Sequence, residues 1–212
     1  MYLNGATCGR SPAGKWYVGR VSRIAEQSKL TAAEYLAWER AQPVKHEFFD
    51  GEVFAMAGGS PRHNALCVNI SAALKVALQG RGCVAFSSDQ RIGVGPGTRY
   101  VYPDVSAVCG RVQLQDGTSD VITNPQIIVE VLSQSTEPYD RGLKWASYRR
   151  LPSLTDYVLV SQAEAQIEHY RRDADVRWSF GSFGPGERIE LTNGAVLDVD
   201  AIFAGVFDLP GD

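Results

Sequence analysis

Glu130 stands in the middle of an apolar run, Ile127-Ile128-Val129-Glu130-Val131-Leu132, and this run constrains the fold more than any other stretch. Six residues rich in Val and Ile predict a strand covered on both faces. A carboxylate inside such a strand is costly unless it is paired or bound to a metal. A second apolar run, Tyr102-Pro103-Asp104-Val105-Ser106-Ala107-Val108, carries Asp104, and Lys144 follows on a predicted helix. Two carboxylates on successive apolar strands, with a lysine downstream, point to a divalent-metal site.

The rest of the composition limits what such a site can serve. A chain of 212 residues holds one large domain, or a domain with an extension. The formal net charge of −3 gives no global basic signature, so a polyanionic partner has to be met by a local patch or through metal ions. Cys8, Cys67, Cys83 and Cys109 form no CxxC or Cys/His spacing, which argues against zinc. Cys67 and Cys109 lie in apolar runs and read as small core residues, which suggests a reducing, cytoplasmic context. No run approaches the roughly 18 apolar residues of a membrane span. Residues 1–27 lack an apolar signal-peptide core and read as an extension ahead of a domain over 28–212.

Local signals set the order of elements. Thr31 with Glu34 three residues on forms a capping-box pattern for a helix running to about Ala41. Asp50-Gly51 between apolar stretches predicts a hairpin of His46–Phe49 with Val53–Ala57. Leu66, Ile70, Ala73, Leu74 and Ala77 follow helical spacing, so a long amphipathic helix spans 61–79. Strands are expected at 83–86, 91–94, 100–108, 127–132 and 155–160, with a polar loop over 110–124. A helix is expected over 139–150. The tail reads as a hairpin of 165–170 with 176–180, short strands at 188–191 and 196–199, and a short terminal helix.

Mg²⁺ and Mn²⁺ want oxygen ligands, commonly one or two carboxylates with waters and substrate phosphate completing the shell. Asp104 and Glu130 meet that need, and the carbonyl of Val131 is a candidate third ligand. Lys144 is then the group that orients or helps deprotonate an attacking water and offsets phosphate charge.

Pro103-Asp104 followed by Glu130-Val131-Leu132 resembles the PD-(D/E)XK nuclease signature. Within that superfamily the chain resembles the Uma2 group of restriction-type endonucleases from about residue 28 onward. The resemblance rests on Leu30-Thr31-Ala32-Ala33-Glu34-Tyr35-Leu36, Glu47 with Asp50-Gly51-Glu52, Ser60-Pro61-Arg62-His63-Asn64, and Tyr102-Pro103-Asp104-Val105. It continues through Val129-Glu130-Val131-Leu132-Ser133, Asp140-Arg141-Gly142-Leu143-Lys144 with Tyr148, and Tyr157-Val158-Leu159-Val160. It implies an α/β (α+β) restriction-endonuclease-like core, a mixed central sheet flanked by helices, with helix 61–79 on one face and helix 139–150 on another. It also implies Mg²⁺ or Mn²⁺ as cofactor and DNA as partner, leaves a homodimer open, and adds Glu47 as a supporting carboxylate. His63 and Asn64 would face the substrate from the start of the long helix. Leu132 occupies the position where the short motif expects lysine, and Lys144 matches the position from which this group supplies it.

Each residue also has a plainer role. Asp104 after a proline can be a turn residue, Glu47 a hairpin surface residue and His63 a solvated helix start. Asp140 and Lys144 at i,i+4 can be a surface pair worth a few tenths of a kcal/mol (~0.3–0.5). Arg141, with Arg149 and Arg150, can contact phosphate or form a solvated face. The functional reading is a metal-dependent endonuclease acting on DNA. Its rivals are a catalytically inactive nuclease-fold module that binds nucleic acid or a protein, and a hydrolase of smaller phosphate esters.

Overall fold

A computed structural model describes residues 29–211, so the extension expected over 1–27 lies outside the described residues. Thr31 caps α1 (Ala32–Glu39) through the reciprocal Thr31–Glu34 capping box. β1 (His46–Phe49) and β2 (Glu52–Ala55) form the expected hairpin. Its turn takes Asp50 and Gly51 to φ of 48° and 95°, a two-residue geometry that matches strand twist. Ser60 caps α2 (Pro61–Ala77), and Pro61 sits in the first turn, where a missing N–H costs nothing.

The chain continues through β3 (Cys83–Ser87), β4 (Arg91–Val94), β5 (Arg99–Val101), β6 (Val105–Cys109), β7 (Val121–Ile122) and β8 (Ile127–Leu132). A bent helical segment follows: α3 (Glu137–Tyr139), a π-helical turn (Asp140–Lys144) and α4 (Trp145–Tyr148). Then come β9 (Asp156–Ser161), β10 (Ile167–Arg172), β11 (Trp178–Phe183), β12 (Arg188–Glu190), β13 (Val196–Asp198) and α5 (Val199–Phe203).

Two sheets organise these strands. The six-stranded sheet has the order β11-β10-β9-β8-β6-β3, with β8 and β9 parallel and the other neighbours antiparallel. The five-stranded sheet has the order β2-β1-β5-β4-β7. β8 is central to the first sheet, and period-two alternation sends its side chains to opposite faces. Ile127, Val129 and Val131 pack with Leu66, Ile70 and Leu74 of α2. Ile128 and Leu132 pack on the other face with Tyr148, Leu151 and Leu154. The mixed sheet between α2 and the 137–148 segment is the restriction-endonuclease-like arrangement expected.

Four local expectations need correction. The run 100–108 is not one strand: β5 belongs to the five-stranded sheet and β6 to the six-stranded sheet, and the chain crosses between them at Tyr102-Pro103-Asp104. Pro103 has no N–H to give a ladder, so the break falls there. The loop 110–124 contains β7, which pairs in parallel with β4. The helix expected over 139–150 is interrupted by the π-turn. Cys109 is not a free core thiol: it faces Cys83 directly in the β3–β6 register and is disulfide-bonded to it. That bond runs against the expectation that all the cysteines are reduced.

Candidate active site

Because Ile128 and Leu132 face the Tyr148 side of the sheet, Glu130 between them faces it too. There its Oε1 lies 3.0 Å from Lys144 Nζ and accepts the Tyr148 hydroxyl at 2.9 Å. Asp104 arrives from the neighbouring strand. β6 pairs with β8 with Val105 opposite Val129, so Asp104, one residue earlier, falls beside Glu130. The Val131 amide donates to Asp104 Oδ2 at 2.8 Å, and the Asp104 amide points at Glu130 Oε2 at 3.4 Å.

Glu47 enters from β1 in the other sheet. Its Oε1 is 3.4 Å from Lys144 Nζ and accepts the Tyr102 amide at 3.2 Å, and its Oε2 accepts the Tyr139 hydroxyl at 3.1 Å. Asp140 Oδ1 lies 3.3 Å from the same ammonium. The π-turn contributes to this convergence. The Trp145 amide reaches back five residues to the Asp140 carbonyl, a widened turn of the kind that recurs at functional sites. Glu47, Glu130, Asp140 and Lys144 are all 2–6% exposed, so the pair at i,i+4 is buried machinery and not a surface contact.

These groups border a cavity of about 400 Å³, whose wall includes Glu47, His63, Asp104, Glu130, Val131 and Lys144. That volume falls in the range of small-ligand sites. Negative charge exceeds positive charge around it. Burial pushes Glu130 well above the ordinary carboxylate range, and the charges of Asp140, Asp104 and Glu47 add to this against the opposing pull of Lys144. Burial likewise raises Asp140. Burial acts to lower Lys144, but Glu130, Glu47 and Asp140 outweigh it and hold the ammonium charged. Asp104 goes the other way: burial works to raise it, and the hydrogen bond and charge of His63 with the charge of Lys144 bring it below its ordinary value. Oxygen donors carrying an excess of buried negative charge suit a hard divalent cation. Asp104 and Glu130 are donors of that kind, and both lie in the cavity wall.

Of the remaining sequence candidates, His63 is brought to the site, with Nε2 3.4 Å from Asp104 Oδ2. Asn64 is not. It is exposed, and its amide donates to the Gly59 and Ser60 carbonyls at 3.0 Å each, closing the helix start. Arg141 is not brought there either. Its guanidinium pairs with Glu137 at 2.7 Å and with Glu168 on β10, beside the cavity and not in its wall. Sequence reasoning missed the roles of Tyr139 and Tyr148 in holding the carboxylates, and of Asp140. Tyr148 carried a signal, since a tyrosine one helical turn after Lys144 shares its face.

Comparison with known proteins places the chain in a family and a fold. The model of the Uma2 family, described as "Putative restriction endonuclease", matches residues 32–201. The uncharacterized protein slr1290 of Synechocystis sp. is 39% identical over 179 residues, covering 84% of this chain and 93% of that protein. The uncharacterized protein sll1609 of the same organism is 37% identical over 155 residues, covering 73% and 88%. A crystal structure from Anabaena variabilis, described as "a putative nuclease belonging to DUF820", superposes with a TM-score of 0.65 at 17% identity. It covers 84% of this chain and 99% of that one, and the likeness is one of fold. With a family match over residues 32–201, the chain belongs to the Uma2 family, described as "Putative restriction endonuclease".

Proposed function

We propose that this protein is a metal-dependent endonuclease that hydrolyses DNA phosphodiester bonds. The observation that carries this reading is the meeting of Glu47, Asp104, Glu130 and Lys144, from four separate elements and both sheets, at one cavity. Mg²⁺ or Mn²⁺ held by Asp104 and Glu130, with the Val131 carbonyl as a further donor, supplies Lewis-acid activation of a water and of the phosphoryl oxygens. Lys144 remains an ammonium at neutral pH, so it neutralises charge on the phosphate and orients the water, and does not begin as the base. Tyr148 and Tyr139 fix Glu130 and Glu47 through their hydroxyls, which sets the carboxylate orientations before substrate arrives.

The rival reading, an inactive nuclease-fold binding module, is motivated by Leu132 at the strand-lysine position. Leu132 packs in the core, and Lys144 brings its ammonium to Glu130 from the helical segment instead. This favours catalysis.

The test is nicking of supercoiled plasmid by the wild type with Mg²⁺ or Mn²⁺, with and without EDTA, beside calorimetric titration of the same ions. Metal-stimulated nicking that disappears in Asp104→Asn and Glu130→Gln supports the endonuclease. Nucleic-acid binding that survives EDTA, without nicking, supports the binding module.

A further inference from the structure

Cys67 follows His63 by one helical turn on α2, a Cys/His spacing that corrects the expectation of none, and its sulfur is 3.5 Å from His63 Nδ1. His63 Nε2 is 3.4 Å from Asp104 Oδ2. One ligand atom from each of the three residues lies within 4.8 Å of the others. The His63 ring gives one nitrogen to one ion, so only one of its two contacts is between ligand atoms; zinc bonds of about 2.0–2.3 Å in tetrahedral geometry place ligand atoms roughly 3.3–3.6 Å apart, and the third donor has to close in from within 4.8 Å. The three side chains are partly buried, and His63 and Asp104 also form part of the cavity wall.

We propose that His63, Cys67 and Asp104 form a thiophilic cation site, taking Zn²⁺ in preference to Mg²⁺, that shares Asp104 with the candidate catalytic set. The donor chemistry separates the two sites. Glu130, Asp104 and a backbone carbonyl are hard oxygen donors that suit Mg²⁺, whereas a thiolate and an imidazole select zinc and its borderline neighbours. Coordination breaks the Cys67 S–H bond, forms a sulfur–metal bond and releases the proton to solvent, with no change of oxidation state. Zinc bound there occupies Asp104 and withdraws it from Mg²⁺, so the site is inhibitory. That consequence rests on the endonuclease reading, while the binding itself does not.

The test uses full-length protein carrying Cys8→Ser, freed of metal and without added thiol, titrated with Co²⁺ as a spectroscopic stand-in for Zn²⁺. The expected result is a thiolate-to-cobalt charge-transfer band that saturates at one equivalent, is displaced by Zn²⁺ and is lost on Cys67→Ser. Zn²⁺ affinity should fall at least about tenfold in Cys67→Ser, a substitution of one atom whose folding is checked by its thermal melt. Absence of the band, or its survival in Cys67→Ser, overturns the site. Plasmid nicking with Mg²⁺ on the same protein separates the two readings. A band without nicking keeps the zinc site and removes the endonuclease, and nicking without a band does the reverse. Where both occur, one equivalent of Zn²⁺ should suppress nicking at least about tenfold, and continued nicking with the band saturated overturns the inhibitory role.

Discussion

The Val131 amide donates to Asp104 Oδ2 at 2.8 Å, so a side chain takes the place of a backbone ladder partner just before β6 begins. Pro103 comes immediately before Asp104 and cannot extend the ladder. One carboxylate thereby closes the end of the β6–β8 ladder and lies in the cavity wall.

Asp104→Asn separates those two duties. The amide oxygen can still accept from Val131, so the melting temperature should shift by no more than about 4 °C, the equivalent of roughly 1 kcal/mol. Metal-stimulated cleavage should fall at least about a hundredfold. Asp104→Ala should add a stability loss of about 1–3 kcal/mol, because the Val131 amide is left unpaired. Calorimetric melts and plasmid nicking on both variants check this.

Lys144→Met should destabilise strongly. It leaves Glu47, Glu130 and Asp140 buried without their shared cation. Breaking a buried pair from one side costs about 3–5 kcal/mol, which for a chain of this length lowers the melting temperature on the order of 10 °C. A melt unchanged at neutral pH would contradict the charge assignment.

The raised Glu130 gives the metal-free protein a pH signature. The folded state keeps a proton that the unfolded chain releases near 4.5, so stability falls as pH rises from 4.5 toward the raised value. Asp140 acts in the same direction from 3.8. Asp104, whose value is lowered, acts oppositely, and its contribution is lost only as pH falls below 3.8. Glu130→Gln should therefore flatten the decline above pH 4.5 and raise the melting temperature of the metal-free protein at neutral pH. Melts of both proteins across pH 4–9 (a range of about five units, chosen to bracket the shift) measure it.

Asp156 supplies a contrast away from the cavity. Its Oδ1 meets His169 Nε2 at 2.9 Å and accepts the Thr192 amide at 2.9 Å, joining β9, β10 and the loop before β13. Asp156→Ala should cost about 3–5 kcal/mol by orphaning buried partners, with metal binding at the cavity preserved below its melting transition. Calorimetry of Mn²⁺ binding alongside the melt distinguishes a structural loss from a catalytic one.

The parts of this architecture legible in the sequence are those governed by neighbours along the chain. The Thr31–Glu34 cap, the Asp50-Gly51 turn, α2 and the buried strand around Glu130 each follow from a local rule. Glu130 declared a site because an apolar strand does not tolerate an unexplained carboxylate. The features that stayed hidden depend on partners distant in sequence. The apolar run 100–108 gives no sign that its halves belong to different sheets. The π-turn depends on packing that draws both Asp140 and Lys144 inward, where regular helical spacing suggests a surface pair. The Cys83–Cys109 bond needs the β3–β6 register, and the grouping of Cys67 with Asp104 needs α2 laid beside β6. Basic residues near the site motif were a weaker guide, since Arg141 is consumed by Glu137 and Glu168.

The crossing at Tyr102-Pro103-Asp104 has a consequence for the chain as it leaves the ribosome. Glu47 emerges on the first hairpin and Lys144 nearly a hundred residues later, and the sheets that carry Glu47 and Glu130 must dock before Glu47 reaches the ammonium that Glu130 already meets. A nascent chain that stops short of Lys144 carries Glu47 and Glu130 without the ammonium they share. On the proposed endonuclease reading, the full set of charges around the cavity is completed only once the whole domain has formed.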